Sequence, residues 1–406
     1  MFDLIVVGGG AAGFFGALQA AERKPGMNII ILEKTAKLLS KVRISGGGRC
    51  NVTHHCFEPT ALSHHYPRGQ KQLKSLFRKY QANDVVTWFE QQGVKLKAEE
   101  DGRMFPVTDR SETIIDCFLT QAQRHRIKIE MNTGVKEIKI LPDGFEVISE
   151  NKTYSAKKIL IASGGHPGSN AYSFIRKLGH KIVEPIPSLF TFNDSQKEFK
   201  ELMGVAVPHG AVRIAGTKFY QEGPVLITHW GLSGPAVIKL SAWAAEYFYQ
   251  NRYEATVLIS WIKETREEVV RKFLEEYKTA HKKRKIYSYP LYDLPQRLWT
   301  RLCELAEIDT AKIWGELSNK NLNKLLELLI RCPFKIKGKT TFKEEFVTCG
   351  GVDLSEVDTE TLESKKVKNL FFAGEVLNID GETGGFNFQS AWTTSYVAAQ
   401  KIVNGF

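Results

Sequence analysis

The stretch from Asp3 to Lys34 leaves this chain few folds to choose from. An apolar run, Leu4 to Val7, breaks into Gly8, Gly10 and Gly13, continues as a small-residue segment from Phe14 to Glu22, and meets a second apolar run, Ile29 to Leu32, that ends in Glu33 and Lys34. Strand, glycine turn, helix and second strand in this order form a βαβ unit with a dinucleotide fingerprint. Gly8 allows the tight turn, Gly10 lets the backbone approach a pyrophosphate, and Gly13 lets helix and strand pack closely. The helix start at Ala11 and Ala12 offers free N–H groups and a positive dipole end to phosphates. Glu33 follows the turn by about 20 residues, where a carboxylate accepts hydrogen bonds from an adenosine ribose.

With 406 residues, 43% hydrophobic and 25% charged, the chain is of the globular class and long enough for two or three domains. No apolar stretch approaches the roughly 20 residues of a membrane span. The N-terminus starts directly in a strand without a secretory signal, so a cytoplasmic location is expected. Six scattered cysteines with no C-x-x-C pair read as free thiols. Cys50 and Cys56 beside His54 and His55 lack a second ligand pair at zinc spacing, so no metal is expected. The net charge of +11 falls partly in the runs Lys278–Lys285 and Lys335–Lys343, which read as solvated faces. Such charge attracts anionic small molecules as well as nucleic acid. No RNA- or DNA-binding motif accompanies it, so nucleic acid is not the expected partner.

Beyond the fingerprint, Lys41-Val-Arg-Ile-Ser45-Gly46-Gly47-Gly48-Arg49-Cys50-Asn51-Val-Thr53 is the most unusual loop. Three successive glycines bury little and cost backbone entropy, which is explained if the loop lies against a ligand. Residues 70 to 92 read as helical, ended by Gly93, and Asp101-Gly102 reads as a hairpin turn. That hairpin presents Arg103, a candidate to hold an anionic substrate or a flavin, or else a surface ion-pair partner. Ser111 is the expected N-cap of a helix to about Arg126. Short strands follow at Lys128–Asn132, Val135–Leu141 and Phe145–Ser149, and a further strand, Lys158 to Ala162, ends in Ser163-Gly164-Gly165, which is expected to border the first site. From Pro185 the βα alternation stops and a β-rich domain begins. Its loop Thr228 to Pro235 carries His229, a candidate proton-transfer group or a histidine that only hydrogen-bonds its loop. Residues 264 to 331 read as a helical insertion, and Phe334–Thr348 returns to β character. Near the C-terminus a buried strand ends in Gly374-Glu375. A turn from Asp380 through Gly384-Gly385-Phe386-Asn387-Phe388 then enters a small-residue helix, giving a second helix N-terminus for a ligand.

The segments Gly8–Gly13, Ser45–Thr53, Ala162–Gly165, Thr228–Pro235 and Ala373–Ala391, in this order, resemble the BaiN/YhiN-like family of bacterial FAD-dependent oxidoreductases, also described as aminoacetone-oxidase-like flavoproteins. The resemblance covers nearly the whole chain. It implies an α/β fold with a glutathione-reductase-like FAD-binding Rossmann domain built from both chain ends, an inserted β-barrel-like domain and a helical subdomain. It also implies non-covalent FAD across Gly8–Gly13 and Glu33, with Gly46–Asn51 and Gly384–Phe388 lining its pyrophosphate and flavin portions, Val135 near the adenine, Ala162–Gly165 flanking the adenosine, and Asp380 near the ribityl chain. The sequence departs from the family pattern in a short segment after Gly165 and in Asn378, where aspartate is frequent.

The expected domains are 1–186 with 349–406 for FAD, 187–262 with 334–348 for a β-rich substrate domain, and 263–333 for the helical insertion. The expected function is hydride transfer between flavin N5 and a small organic substrate. A single complete fingerprint leaves NAD(P)H only as a transient reductant, and no cysteine pair near it supports disulfide chemistry. The alternatives are a nucleic-acid-binding flavoprotein with structural or sensory FAD, and an NAD-only dehydrogenase.

Overall fold

The computed structural model describes residues 1–340 and 347–404. The chain divides into two compact units, Met1–Ser188 with Phe342–Phe406, and Leu189–Thr341. The part of the expected Phe334–Thr348 β stretch and of its basic run that spans 341–346 lies outside the described residues.

In the first unit the strand Phe2–Val7 pairs in parallel with Ile29–Leu32 on one side and Thr153–Ile161 on the other, and Lys128–Glu130 extends the Ile29–Leu32 edge. Parallel neighbours need long crossovers, supplied here first by the helix Ala11–Arg23. Leu4, Ile5 and Val6 are buried on both faces, which is why the run reads as unbroken hydrophobics. Thr153–Ile161 changes partner along its length. Its first half pairs antiparallel with Gly144–Ser149, and its last residues pair in parallel with Leu370–Phe372, so that the chain's end completes the sheet its beginning started. The final helix, Phe386–Asn404, packs on the first helix through small residues. The Ser395 hydroxyl donates to the Ala12 carbonyl at 2.8 Å.

Three local readings change. The helical region at 70–92 is two helices, Gln70–Leu76 and Ala82–Gln91. The second starts afresh because Gln81 and Asp84 form a capping box. Ser111 is the first helical residue and not the cap, since its hydroxyl donates to the Arg43 carbonyl at 2.8 Å. Part of the glycine loop is helical, in Ser40–Gly48, until Ser45 to Gly47 leave helical geometry.

The second unit is a closed six-stranded barrel in the order Thr191–Asp194, Gly231–Ser233, Tyr220–Ile227, Ala206–Ile214, Glu254–Ser260, Cys332–Thr340. Period-two alternation sets its inside and outside. Cys332, Phe334 and Ile336 are buried while Lys335 and Lys337 are exposed. The helices Glu267–Ala280, Gln296–Leu305 and Asn319–Arg331 share one hydrophobic core with the barrel, joining Leu274, Trp299 and Leu325 to Phe192 and Val257. The helical segment is thus one body with the barrel. Ile182–Ser188 and Val347–Val352 pair with each other in the first unit. No helix among the described residues is long and apolar enough to cross a membrane.

Candidate active site

The glycine turn after Phe2–Val7 is built by contact distances that tolerate no side chain. Gly8 has φ of 115°, and a Cβ there would lie 2.3 Å from the Ala162 carbonyl oxygen. A Cβ on Gly13 would lie 1.9 Å from the Gly8 oxygen. Gly10 differs: nothing stands within 4 Å of where its Cβ would be. Neither turn geometry nor packing demands glycine there, and close approach of a ligand is the remaining physical reason. Gly10 caps Ala11–Arg23 without any side-chain hydrogen bond, leaving the helix N-terminus to the backbone N–H groups of Ala11 and Ala12. Glu33 bends back to this turn. One carboxylate oxygen accepts from the Gly9 N–H at 2.8 Å, and the other accepts from the Thr35 N–H and hydroxyl, each at 2.8 Å. Val135 starts its strand beside this end of the sheet, where the Thr133 N–H donates to the Glu33 carbonyl at 2.7 Å. Lys34 points the other way, its Nζ 2.8 Å from His166 Nε2. Burial and the Lys34 charge hold the His166 imidazole below its ordinary range.

The second glycine loop has consecutive left-handed residues, Gly46, Gly47 and Gly48, with φ of 58°, 69° and 83°. A Cβ on Gly46 would meet the Phe105 ring at 2.7 Å, whereas Gly47 and Gly48 have open space. Cys50 is fully buried, which pushes its thiol up to about 12 and leaves it unreactive. Arg49 donates to Glu99 at 2.6 Å, and its guanidinium lies 3.9 Å over the Phe105 ring, so this residue fastens the loop to the hairpin. Arg103 joins the same cluster through Asp101 at 2.7 Å and Glu99 at 2.9 Å. Asn51, with its amide nitrogen toward the Thr53 carbonyl, accepts from the Gly385 N–H at 2.9 Å. This contact joins the second loop to the third.

That third segment comes from the far end of the chain. The Gly374 N–H donates to Thr394 Oγ1 at 2.9 Å, and a Cβ on Gly374 would crowd Ala12 at 2.7 Å. Glu375 accepts from Lys41 Nζ at 2.6 Å and from the Thr348 N–H at 2.8 Å. It also lies where a Gly165 side chain would be, 2.6 Å away, beside Ser163 and Gly164. The buried Thr348 hydroxyl, 2.7 Å from that same position, has no hydrogen-bond partner among the described residues. Asp380 is wholly buried. It accepts from Arg68 Nε at 2.6 Å, again from the second arm of that guanidinium, and from the Ser188 hydroxyl at 2.8 Å. Burial pushes its carboxyl up, against the Arg68 charge and the Ser188 hydrogen bond. Gly384 and Gly385, with φ of 131° and 95°, lead into the helix beginning at Phe386. Asn387 ties that helix start to the Gly381 N–H and carbonyl, each at 2.9 Å, and Phe388 stacks on Trp392 at 5.6 Å.

The fold adds residues that sequence reasoning missed. Phe386 packs on two histidine rings, His65 at 4.1 Å and His54 at 4.6 Å, which themselves lie 6.0 Å apart. His54 Nδ1 lies 3.0 Å from the Gly384 carbonyl, and His65 Nδ1 lies 3.1 Å from Glu382. Arg68 was equally hidden. All three pair with residues more than three hundred positions away, and the only signal in the sequence was the density of His and Arg just after the second glycine loop. His229, by contrast, belongs to the barrel unit. It is exposed in the turn between Tyr220–Ile227 and Gly231–Ser233, edge-on to Trp230 at 4.1 Å, and lines a small pocket with Asp194 and Lys197. The first unit therefore gathers every expected cofactor residue, and Arg103 with them, while His229 stands in the second unit.

A sheet whose parallel strands end in glycine turns at Gly8, Gly164 and Gly374, with a barrel inserted in the chain, defines a Rossmann-type flavoenzyme fold. Residues 2–401 match the HI0933-like protein Rossmann domain, and the chain belongs to this family, which comprises the flavin-dependent oxidoreductases that its motifs resemble. It is 28% identical to the ribosomal RNA dihydrouridine synthase of Escherichia coli, over 99% of this chain and 98% of the relative. It is 25% identical to the 3-dehydro-bile acid delta(4,6)-reductase of Clostridium scindens, over 97% of each. Among solved structures, the 3-ketosteroid-delta4-(5alpha)-dehydrogenase of Rhodococcus jostii shares the fold, with a TM-score of 0.53 at 13% identity over 98% of this chain and 96% of that one. The residues present suit FAD. Open space at Gly10, Gly47 and Gly48, an uncapped helix N-terminus and the partnerless Thr348 hydroxyl have no role in packing.

Proposed function

We propose that the protein is an FAD-dependent reductase that saturates a carbon–carbon double bond conjugated to a carbonyl, and that its substrate is a uridine of ribosomal RNA. The observation that carries this reading is the full-length similarity to two relatives whose printed names share one bond change. Dihydrouridine is uridine with the double bond next to its C4 carbonyl saturated, and a delta(4,6)-reductase of a 3-oxo bile acid saturates bonds conjugated with that ketone. The higher identity belongs to the RNA relative, and the net charge of +11 suits a polyanionic substrate.

When bound, FAD supplies a hydride at N5, and NAD(P)H is the proposed reductant class that replenishes it. The chain's own residues do the rest. The N–H groups of Gly10, Ala11 and Ala12 would meet pyrophosphate charge, Glu33 would meet the ribose, and Val135 would flank the adenine. Gly46–Asn51 and Gly384–Phe388 would border the bound flavin, and the N-terminus of the final helix would offer its dipole to a group that gains negative charge on reduction. His229 is the proposed proton donor to the substrate. Arg103 would have to give up Glu99 and Asp101 before it could hold a substrate anion.

Anaerobic titration of the purified yellow protein tests the reading. NADH or NADPH should bleach the flavin bands, and an α,β-unsaturated ketone or an unmodified ribosomal RNA fragment should restore them. A colourless protein that cannot be reconstituted with FAD would sink it.

A further inference from the structure

Within the second unit, the helical segment matches most of its cations to acids. Arg266 meets Glu264, Arg271 and Arg331 meet Glu267, Arg301 meets Glu304, and Lys320 and Lys324 share Glu307. The run Lys282-Lys283-Arg284-Lys285, which follows the helix Glu267–Ala280, breaks this pattern. All four residues are exposed, and none has an ion-pair partner among the described residues. Four adjacent like charges repel one another, so a purely solvated face has no reason to hold them together.

The run is also held in place. The Gly315 N–H donates to the Lys282 carbonyl at 2.9 Å, the Trp314 N–H to the Arg284 carbonyl at 3.0 Å, and the Ile286 N–H to the Lys312 carbonyl at 3.1 Å. These bonds strap the backbone to the 312–315 segment and present the cations from a fixed ribbon. Aromatic rings adjoin it. Phe273 and Tyr277 lie one turn apart on the preceding helix with centroids 5.9 Å apart, and His281 follows at 4.2 Å from Tyr277. Arg284 donates to the Tyr277 hydroxyl at 2.8 Å, and its guanidinium sits 4.5 Å from the ring of Tyr289, which is 49% exposed. Tyr277 is half-buried against Trp314 and serves to hold Arg284, whereas Phe273 and Tyr289 are exposed. Cations that neutralise a phosphate backbone, beside exposed rings on which bases stack, are the components of a single-stranded nucleic-acid surface. One nucleotide or inorganic anion would need neither four adjacent charges nor open rings.

We propose that Lys282–Lys285, with the exposed rings of Phe273 and Tyr289, is the surface that docks a single-stranded or loop segment of RNA. The proposal rests on the reading of ribosomal RNA as the substrate, and it assigns binding to this surface and chemistry to the flavin unit.

The test uses the full-length, FAD-loaded protein and a fluorescent ribosomal RNA loop fragment, with anisotropy measured over a salt series. The K282Q/K283Q/R284Q/K285Q variant should bind at least about tenfold more weakly at low salt, and the slope of log affinity against log salt should fall by about 2–3, at roughly 0.7 per contacted phosphate of a single strand. Tyr289→Ala should weaken binding with the slope unchanged, because stacking releases no counterions. Flavin content and reduction of a small enone should stay at the wild-type level in both, which separates docking from misfolding. A control that removes four exposed lysines of the first unit, K71Q/K95Q/K177Q/K368Q, should lose much less. Unchanged affinity and slope in the quadruple variant, an equal loss in the control, or wild-type protein that binds anionic phosphatidylglycerol vesicles but no RNA would each overturn the proposal. If RNA binds through this surface yet no dihydrouridine forms, the surface stands and the catalytic reading fails.

Discussion

Replacing Asp380 with Asn tests how the far end of the chain is held in the flavin unit. The carboxylate is 0% exposed and its partner Arg68 has a side chain 11% exposed, so the pair is removed from water almost entirely. Asn keeps the shape and an acceptor for the Ser188 hydroxyl, yet it leaves the Arg68 guanidinium buried opposite a neutral amide. Breaking one side of a buried ion pair costs about 3–5 kcal/mol. At about 2 °C per kcal/mol for a body of this size, the melting temperature of the flavin-bearing unit should fall by roughly 6–10 °C. Ser188→Ala removes one hydrogen bond and should cost only about 1 kcal/mol. The loss should reach the cofactor as well. Residues 380 and 68 also bridge through their backbones, and a Cβ on the adjacent Gly69 would lie 2.6 Å from Ile379, so the loop that delivers Gly384 and Gly385 leans on this contact. Denaturant unfolding followed by flavin fluorescence reads both effects. A cost in Asp380→Asn below about 1 kcal/mol, with wild-type FAD affinity, would refute the assignment of Arg68–Asp380 as the anchor, because an uncompensated buried charge cannot be that cheap.

Other consequences are as direct. Gly10→Ala should fold normally, since its Cβ meets nothing within 4 Å, but should lose FAD affinity, whereas Gly13→Ala should destabilise the unit itself, since its Cβ would lie 1.9 Å from the Gly8 oxygen; thermal melts of the apo proteins and FAD titration separate the two. Lys158 is buried with its ammonium donating to the Ile402 carbonyl, and burial lowers its pKa to about 8. The unfolded chain then binds more protons than the folded one between about pH 8 and the ordinary lysine value, so this group's contribution to stability should rise with pH across that window. Subtracting a Lys158→Met profile from wild type between pH 7 and 10 should reveal that slope, and a flat difference would contradict it.

The first βαβ unit was legible because each of its parts is local. Leu4–Val7, the turn glycines and Glu33 lie within one stretch of chain, and their spacing carries the geometry directly. The barrel was legible as β-rich through its alternating residues, but its closure was not, since strand order depends on pairings such as Thr191–Asp194 with Cys332–Thr340 across the whole insertion. The helical insertion read as a separate domain because its leucines are periodic. Periodicity does not say which surface they meet, and they meet the barrel. The same limit hid the Arg68–Asp380 pair and the packing of Phe386 against His54 and His65. Arg103 read as either a ligand contact or a surface ion-pair partner, and only the fold shows it paired with Glu99 and Asp101, with Arg49 of the glycine loop joined to the same Glu99. The run Lys278–Lys285 read as solvated charge, and only the fold shows that the backbone of Lys282–Lys285 is pinned and that these four cations have no ion-pair partner among the described residues.

The most direct measurement is to incubate the FAD-loaded enzyme anaerobically with NAD(P)H and unmodified ribosomal RNA, then digest the RNA and analyse its nucleosides by mass spectrometry. The account predicts that a uridine gains two hydrogens, in step with reoxidation of the bleached flavin. RNA that emerges unchanged, from protein whose flavin is fully reduced and still reoxidised by a small enone, would contradict the RNA substrate and leave a reductase of small molecules.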